Sequence, residues 1–297
     1  MTREKQRLKK ILDKYYREYN FKRRIPHDPI EFPHRYKNPE DIEVSGFIAS
    51  CLAYGKVELF KPVVEKILSR TGGNPHAFFL DFDAKRDGPL FSFKYRFNES
   101  RDIVCLLFII HKLLVKYSSL NNAFMRHYRS RDENMANAIS GFINDIMSIN
   151  TMKVYRENIH PPGLTQLFPS PVNGSACKRM NLFLRWMIRH RDIDFGIWDG
   201  IPENKLVIPL DTHIARIARC LGLTSRRSSD WKTAVEITDA LKTLDPEDPL
   251  KYDFALCHHG ISGLCKQGVD EGCRQCRFSG SPQTVRETEL RLSSVQQ

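Results

Sequence analysis

An all-α fold is what this 297-residue sequence predicts, and three features of the sequence lead to it. Apolar residues recur at helical spacing along most of the chain, as Leu8, Ile11, Leu12 and Tyr15 do near the N-terminus. Apolar and polar residues seldom alternate in the manner of a half-buried strand. Prolines and glycines cluster between the periodic segments, where they end helices. At this length the chain can bury a hydrophobic core without disulfide bonds.

The predicted elements follow one another along the chain. A charged amphipathic helix covers residues 3–19. Residues 28–33 are expected to form an extended, turn-rich connector, because each proline in it biases its predecessor away from the helical region. The later predicted helices cover residues 40–54, 59–68, 103–116, 120–128, 134–149, 175–189, about 212–221, about 230–244 and about 251–264. After Phe278 the chain turns polar, which predicts a disordered tail over residues 279–297.

Charge and composition indicate the class of partner. A net charge of +11 and a pI near 9.3 favour nucleic acid, because lysines and arginines that neutralise phosphates release counterions. A protein that is basic without binding a polyanion is the alternative. Eight cysteines and a charged N-terminus without a signal peptide predict a reducing, cytoplasmic location. A DNA partner would make the protein nucleoid-associated. The longest apolar stretch, residues 103–115, is too short to span a membrane, which takes about 20 residues.

The first segment that could take part in binding or catalysis is a predicted turn at residues 171–175. Gly174 can adopt a left-handed conformation there, and Ser175 can cap the next helix. Backbone N–H groups at a helix start bind phosphate, so Asn173, Gly174, Ser175 and Arg179 are candidate contacts to a DNA backbone. Lys178 would lie in the first helical turn, where the positive end of the helix dipole disfavours an ammonium group and so favours a nucleophilic amine. A solvated helix lysine is the alternative role.

The second segment begins at Asp211, which follows a proline turn and opens a predicted helix. Aspartate is a preferred N-cap residue, and that role alone could explain its position. A carboxylate held at a helix start is also a rigid anion, suited to balancing a developing positive charge on a sugar. The two roles are compatible.

Residues 210–223 combine an aspartate before Thr-His with a helix that ends in Leu-Gly-Leu. This pattern resembles the signature of endonuclease III and its relatives in the helix-hairpin-helix DNA glycosylase superfamily. The turn at residues 171–175 and Lys178 occupy the place of that family's hairpin and catalytic lysine, although the usual Leu-Pro-Gly-Val-Gly hairpin is absent. The interval of 33 residues from Lys178 to Asp211 resembles that of archaeal 8-oxoguanine DNA glycosylases. As a whole, the chain resembles a microbial family of unassigned function.

The resemblance implies a two-lobed helix-hairpin-helix glycosylase-like fold over residues 1–278. The central lobe would cover about 40–205, and the second lobe would combine 1–39 with 206–278. A monomer would bind double-stranded DNA that contains damaged or abasic sites, with Tyr54 and Lys56 in a turn that meets the DNA, and would flip out the target nucleotide. Lys178 would attack the sugar with help from Asp211, as in a base-excision repair glycosylase with AP lyase activity, and the first candidate lesion is an oxidised purine.

Four C-terminal cysteines, Cys257, Cys265, Cys273 and Cys276, form a third candidate site. The tight Cys273 and Cys276 pair is typical of metal sites. Endonuclease III relatives carry a four-cysteine iron–sulfur cluster after the corresponding helix, but here one cysteine comes early, and four thiolates would also suit zinc. Reduced cysteines without metal are the alternative. We expect His258 and His259 to be packing or surface residues rather than metal ligands. His213 is expected to form hydrogen bonds at the helix start rather than to bind metal.

Aromatic residues that could contact a lesion are Tyr54, Trp186, Phe195 and Trp198, and each could equally belong to the core. Two functions of other classes stay open at this point. One is a catalytically inactive DNA-lesion-binding protein, which the altered hairpin favours. The other is a metal-stapled RNA-binding or interaction module, for which the cysteines and the positive charge would suffice.

Overall fold

The structure is a computed structural model and describes residues 2–262, 276 and 278. Its α-helices are α1 (Arg3–Glu18), α2 (Pro39–Leu52), α3 (Val57–Leu68), α4 (Pro75–Leu80), α5 (Ser100–Tyr117), α6 (Leu120–Met125), α7 (Ala136–Met147), α8 (Met152–Tyr155), α9 (Pro162–Thr165), α10 (Lys178–Ile188), α11 (Thr212–Cys220), α12 (Trp231–Lys242) and α13 (Asp253–Ile261). Short 3-10 helices cover Lys22–His27, Pro29–Glu31, Pro33–Arg35, Ser69–Thr71, Gly88–Phe91, Pro171–Asn173 and Glu203–Lys205.

The described part of the chain contains no strand, and its β-type pairing is limited to isolated bridges at Tyr95–Asn98 and Ser175–Asp230. The predicted all-α class is confirmed to that extent. No helix in this part of the chain is both long and apolar enough to cross a membrane.

The helices are divided between two structural units. The first unit combines Met1–Lys22, Gly174–Asn181 and Pro202–Gln297. Its described core comes from one face each of α1, α11, α12 and α13, with residues such as Leu12, Ile217 and Ile237 almost or completely buried. Burial of these apolar faces, rather than intrinsic helix propensity, holds helices of this length together.

Close packing of α11 against α13 depends on a glycine. A Cβ added to Gly260 would lie 2.7 Å from the Cβ of His213 and 3.2 Å from a methyl carbon of Ile217. The missing side chain lets α13 approach α11 closely. The guanidinium of Arg216 then donates to the Gly260 carbonyl at 3.0 Å, which satisfies a carbonyl near the end of α13.

The second unit combines Arg23–Asn173 with Leu182–Ile201, and α2 runs through its interior. Every residue from 41 to 52 is buried. Glu43 is buried as well, and its carboxylate accepts hydrogen bonds from the backbone N–H groups of Leu120 and Asn121 and from the indole of Trp198, each at 2.8 Å. This carboxylate therefore caps α6 from the interior of the unit.

Residues 23–39 belong to the second unit, whereas the sequence-based prediction places them in the lobe that contains residues 206–278. The physical reason is local packing. The 3-10 turns Pro29–Glu31 and Pro33–Arg35 pack against α2, and Ile30 and Phe32 are fully buried. The predicted extended connector at 28–33 is accordingly wrong, because proline at the first position of a 3-10 turn needs no N–H donor and fits its backbone angles.

Most predicted helices are present, with ends that differ by a few residues. The apolar pattern does not predict α4, α8 and α9, which are too short to show a period. The predicted helix at 175–189 begins three residues late, at Lys178. The predicted tail at 279–297 lies outside the described residues.

Candidate active site

The segment before α10 is held by long-range backbone pairing. Ser175 forms an antiparallel bridge with Asp230, and the Gly174 carbonyl accepts from the Trp231 N–H at 3.0 Å. The Ser175 hydroxyl accepts from the Cys177 N–H at 3.2 Å, and Cys177 has a φ of 47°. The prediction that Ser175 caps the helix is therefore wrong, because its backbone is engaged in the bridge and its side chain closes a local turn instead.

The helix consequently starts with Lys178 itself. A non-glycine residue in the left-handed region costs about 1–3 kcal/mol and persists where the surrounding structure requires it. Here that residue is Cys177, and it directs the chain from the bridge into α10. Burial raises the pKa of the Cys177 thiol to about 12, so the thiol stays protonated at neutral pH.

Asp211 is the N-cap of α11. Its Oδ1 accepts from the backbone N–H of Ile214 at 2.8 Å, and its own backbone is extended. This is the geometry expected when an aspartate satisfies one of the unpaired donors at a helix start. The second oxygen, Oδ2, is left available for other partners.

Lys178 and Asp211, which are 33 residues apart in the sequence, come together in the first unit. The Nζ of Lys178 lies 3.7 Å from Oδ2 of Asp211. The lysine side chain is 36% exposed and the aspartate side chain 15% exposed. This contact is looser than an ideal ion pair, and it joins an accessible amine to a rigid carboxylate. The amine is therefore able to reach a substrate.

Cys257 also contacts this site. Its thiol donates to the same Oδ2 of Asp211, with a sulfur-to-oxygen distance of 3.6 Å. Asp211 therefore uses one oxygen to cap α11 and shares the other between an amine and a thiol. The sequence pattern groups Cys257 with the metal candidates and does not predict this contact, because nothing local indicates that α13 meets the start of α11.

The other described cysteine of the predicted metal site is Cys276, whose sulfur lies 3.8 Å from Nε2 of His259. Cys265 and Cys273 lie outside the described residues. Among the residues that are described, no three His, Cys, Asp or Glu side chains are placed to hold a metal ion. These residues alone do not fit a cluster, and the four-thiolate site stays a prediction.

Three of the candidate DNA contacts near the turn occupy consecutive positions, and Arg179 follows four residues later. Asn173 ends the 3-10 turn Pro171–Asn173 and is exposed, as is Gly174, which has a φ of 75°. Ser175 is half-buried in its bridge. Arg179 is the second residue of α10 and is half-buried.

Tyr54 and Lys56, the candidate DNA contacts of the second unit, lie between α2 and α3. The Tyr54 hydroxyl donates to the Asn98 side chain, and the Tyr54 ring centroid is 4.7 Å from that of Tyr95. Lys56 is exposed at the start of α3. These contacts connect the Tyr54 region to the tight turn at Tyr95–Asn98.

That turn presents two residues that the sequence pattern does not single out. Phe97 is 67% exposed, and the Arg96 guanidinium carbon lies 5.5 Å from the Phe97 ring centroid and 5.8 Å from that of Tyr54. Gly55 makes room for Arg96, since a Cβ at Gly55 would collide with the guanidinium. The asparagine at 98 is a typical turn residue and is the signal that could have identified the turn.

The remaining aromatic candidates divide between core and surface. Trp186 and Trp198 are fully buried, so they are core residues. Phe195 is half-buried, with its ring centroid 4.5 Å from that of His34. His258 and His259 are buried against aromatic rings, Phe254 and Phe278 respectively, as expected of packing residues.

Comparison with known proteins adds a family. Neither the curated proteins nor the solved structures include a significant match to the chain. One family model, described as "Protein of unknown function (DUF2400)", matches residues 28–262, which is more than half of the chain and includes both Lys178 and Asp211. The chain therefore belongs to the DUF2400 family.

Proposed function

We propose that this protein is a DNA base-excision repair glycosylase with AP lyase activity. The observation that carries the proposal is the placement of the Lys178 amine 3.7 Å from Oδ2 of Asp211, the oxygen that does not cap α11. The all-α architecture, the turn before α10 and the Asp-Thr-His start of α11 support a helix-hairpin-helix glycosylase fold. The net charge of +11 favours a nucleic-acid partner, and the resemblance to the glycosylases implies double-stranded DNA with a damaged or abasic site.

In this mechanism Asp211 first accepts a proton from the Lys178 ammonium. The neutral amine attacks the sugar carbon that bears the base, the carbon–nitrogen bond to the base breaks, and the base leaves with the bonding electron pair and takes up a proton. The bond between that carbon and the ring oxygen then breaks, the ring oxygen takes up a proton from the attacking nitrogen, and a Schiff base joins Lys178 to the open sugar. Loss of a proton from the 2′ carbon expels the 3′ phosphate and breaks the strand, and addition of water to the Schiff base frees the lysine.

Asp211 suits its part because its position does not depend on the substrate. The Oδ1 hydrogen bond to the Ile214 N–H holds the carboxyl plane, so Oδ2 points in a set direction toward Lys178. A preorganised anion of this kind stabilises a developing oxocarbenium-like charge without reorganising. The Cys257 thiol on the same oxygen further restrains it.

Borohydride trapping tests the proposal directly, because reduction of a Schiff base joins enzyme and DNA covalently. We expect the wild-type protein to form a covalent adduct with a labelled duplex that carries an abasic site or 8-oxoguanine. The Lys178→Arg variant keeps a positive charge but cannot form the adduct, and it should give none. The matched control is Lys10→Ala, an exposed lysine on α1, which should trap normally.

The outcomes separate the candidate functions. Adduct formation on 8-oxoguanine DNA indicates a glycosylase, whereas adduct formation on abasic DNA alone indicates a lyase. Tight binding of lesion duplexes without any adduct would make the protein a non-catalytic reader of DNA damage. Absence of both adduct and DNA binding would overturn the proposal.

A further inference from the structure

The loop at residues 224–230 lies beside the segment that precedes α10. Its last residue, Asp230, forms the antiparallel bridge with Ser175, and the next residue, Trp231, donates to the Gly174 carbonyl. Paired backbones of this kind are about 5 Å apart. Any surface that Gly174 and Ser175 present to a ligand therefore continues onto this loop.

Arg226 holds the loop in shape from within. Its guanidinium donates to the Thr233 hydroxyl at 2.8 Å, to the Asp230 carboxylate at 2.9 Å and to the Ser228 hydroxyl at 3.3 Å. Its backbone N–H donates to the Thr224 hydroxyl at 3.1 Å. The charge of Arg226 is thus compensated by Asp230, and its role is structural.

Arg227 and Lys232 differ from Arg226 in this respect. Both side chains are exposed, and neither has a hydrogen bond or ion-pair partner among the described residues. Arg227 follows directly after the arginine that orders the loop, and Lys232 is the second residue of α12. Two uncompensated cations therefore flank the residues that form the bridge to Ser175.

We propose that Arg227 and Lys232 extend the DNA-binding surface of Gly174 and Ser175 by contacting further phosphates of the duplex backbone. This inference rests on the proposed function and adds residues that the sequence pattern does not identify. Phosphates repeat at about 3.4 Å of rise along each strand, so adjoining backbone segments can meet adjoining phosphates. Contacts of this kind position the DNA and carry no sequence information.

Salt-dependent binding to a duplex with a non-cleavable abasic-site analogue tests the inference. Fluorescence anisotropy at several salt concentrations gives the slope of log K against log salt for each protein. Loss of one phosphate contact should make binding several-fold weaker at low salt and reduce the magnitude of the slope by about 0.9. We expect this result for Arg227→Ala and for Lys232→Ala, equally on duplexes of different sequence.

Arg7→Ala is the matched control, because Arg7 is an exposed arginine on α1 without a partner among the described residues. Its slope should equal that of the wild type. Thermal melting should be the same for all four proteins, since the substituted side chains are exposed.

The outcomes distinguish this inference from the proposed function. If the wild type binds DNA but both variants keep its slope, the extended surface is wrong while the proposed function stands. If the variants lose affinity for an RNA duplex of the same sequence but not for DNA, the assigned partner is wrong. A wild type that does not bind DNA overturns both.

Discussion

Asp194 and Asp211 both face cationic side chains, but the two carboxylates are held very differently. The side chain of Asp194 is fully buried and has donors on both oxygens: Arg185 donates to Oδ1 at 3.0 and 3.2 Å, and Arg189 donates to Oδ2 at 2.9 Å. The two guanidinium groups are 3% exposed. Loss of one member of this network should lower stability strongly, because a buried charge would lose its partner.

Asp211 has the opposite arrangement. One of its oxygens caps α11, while the other faces a half-exposed lysine at 3.7 Å and a thiol at 3.6 Å. Losing the lysine contact costs little stability, since loose and partly exposed ion pairs contribute little. Asp211 therefore combines a loose ion pair with a rigid position of its own, whereas both oxygens of Asp194 are committed to buried partners.

Asp211→Asn is expected to have the largest effect, and it concerns the rate of the reaction. The asparagine oxygen can still cap α11, so unfolding should change little, but the negative charge is lost and trapping or lyase rates should fall roughly 10⁴-fold. Asp211→Ala should lose the same activity and in addition about 1 kcal/mol of stability through the missing cap. Single-turnover rates and urea denaturation measure the two quantities. Wild-type rates in Asp211→Asn would break the assignment of Asp211 as the catalytic carboxylate.

Asp194→Asn should have the second largest effect, and it concerns stability. Removing this charge takes the shared counterion from two buried guanidinium groups and leaves Arg189 with only Asp192 of the two carboxylates that it contacts, which should cost about 3–5 kcal/mol in the free energy of unfolding. Urea denaturation or thermal melting would detect it. The matched control is Asp192→Asn, which pairs with Arg189 at 2.7 Å but is 14% exposed and should cost much less. Equal losses in the two variants would contradict the special role of the buried carboxylate.

The smallest expected effect is on stability and comes from a third carboxylate, Asp13 of α1. Burial by itself raises its pKa, but hydrogen bonds from Tyr252, Lys9 and Lys251 outweigh it and lower the pKa of Asp13 to about 2, from 3.8. Because the folded-state pKa lies below the unfolded value, the charged form stabilises the fold above about pH 4. This contribution is lost as the pH falls toward 2.

The charged form of Asp13 should contribute about 1 kcal/mol to the free energy of unfolding. This is less than the full pKa shift would give, because solvent screens this partly exposed group. Urea midpoints at pH 5 and pH 2.5 for wild type and Asp13→Asn would measure it. The wild type should be the more stable protein at pH 5, and the difference should shrink at pH 2.5. A difference that is constant across this range would contradict the assignment.

The sequence by itself determined the helical class, the approximate place of the longer helices and the capping role of Asp211. These features depend on apolar spacing and on side chains within three or four residues of each other, so a single sequence contains the information. The sequence predicts that Lys178 and Asp211 act together, because the interval between them resembles that of archaeal 8-oxoguanine DNA glycosylases. Their proximity, at 3.7 Å, is a property of the folded first unit.

Only the tertiary structure decided where α10 begins, which residues surround Asp211 and which tryptophans are buried. Ser175 pairs with Asp230, 55 positions along the chain, and that pairing competes successfully with the helix cap that its local sequence favours. Cys257 reaches Asp211 because Gly260 lets α13 approach α11. Contacts of this kind are formed between residues distant in sequence, where burial and close packing, rather than local propensity, decide the outcome.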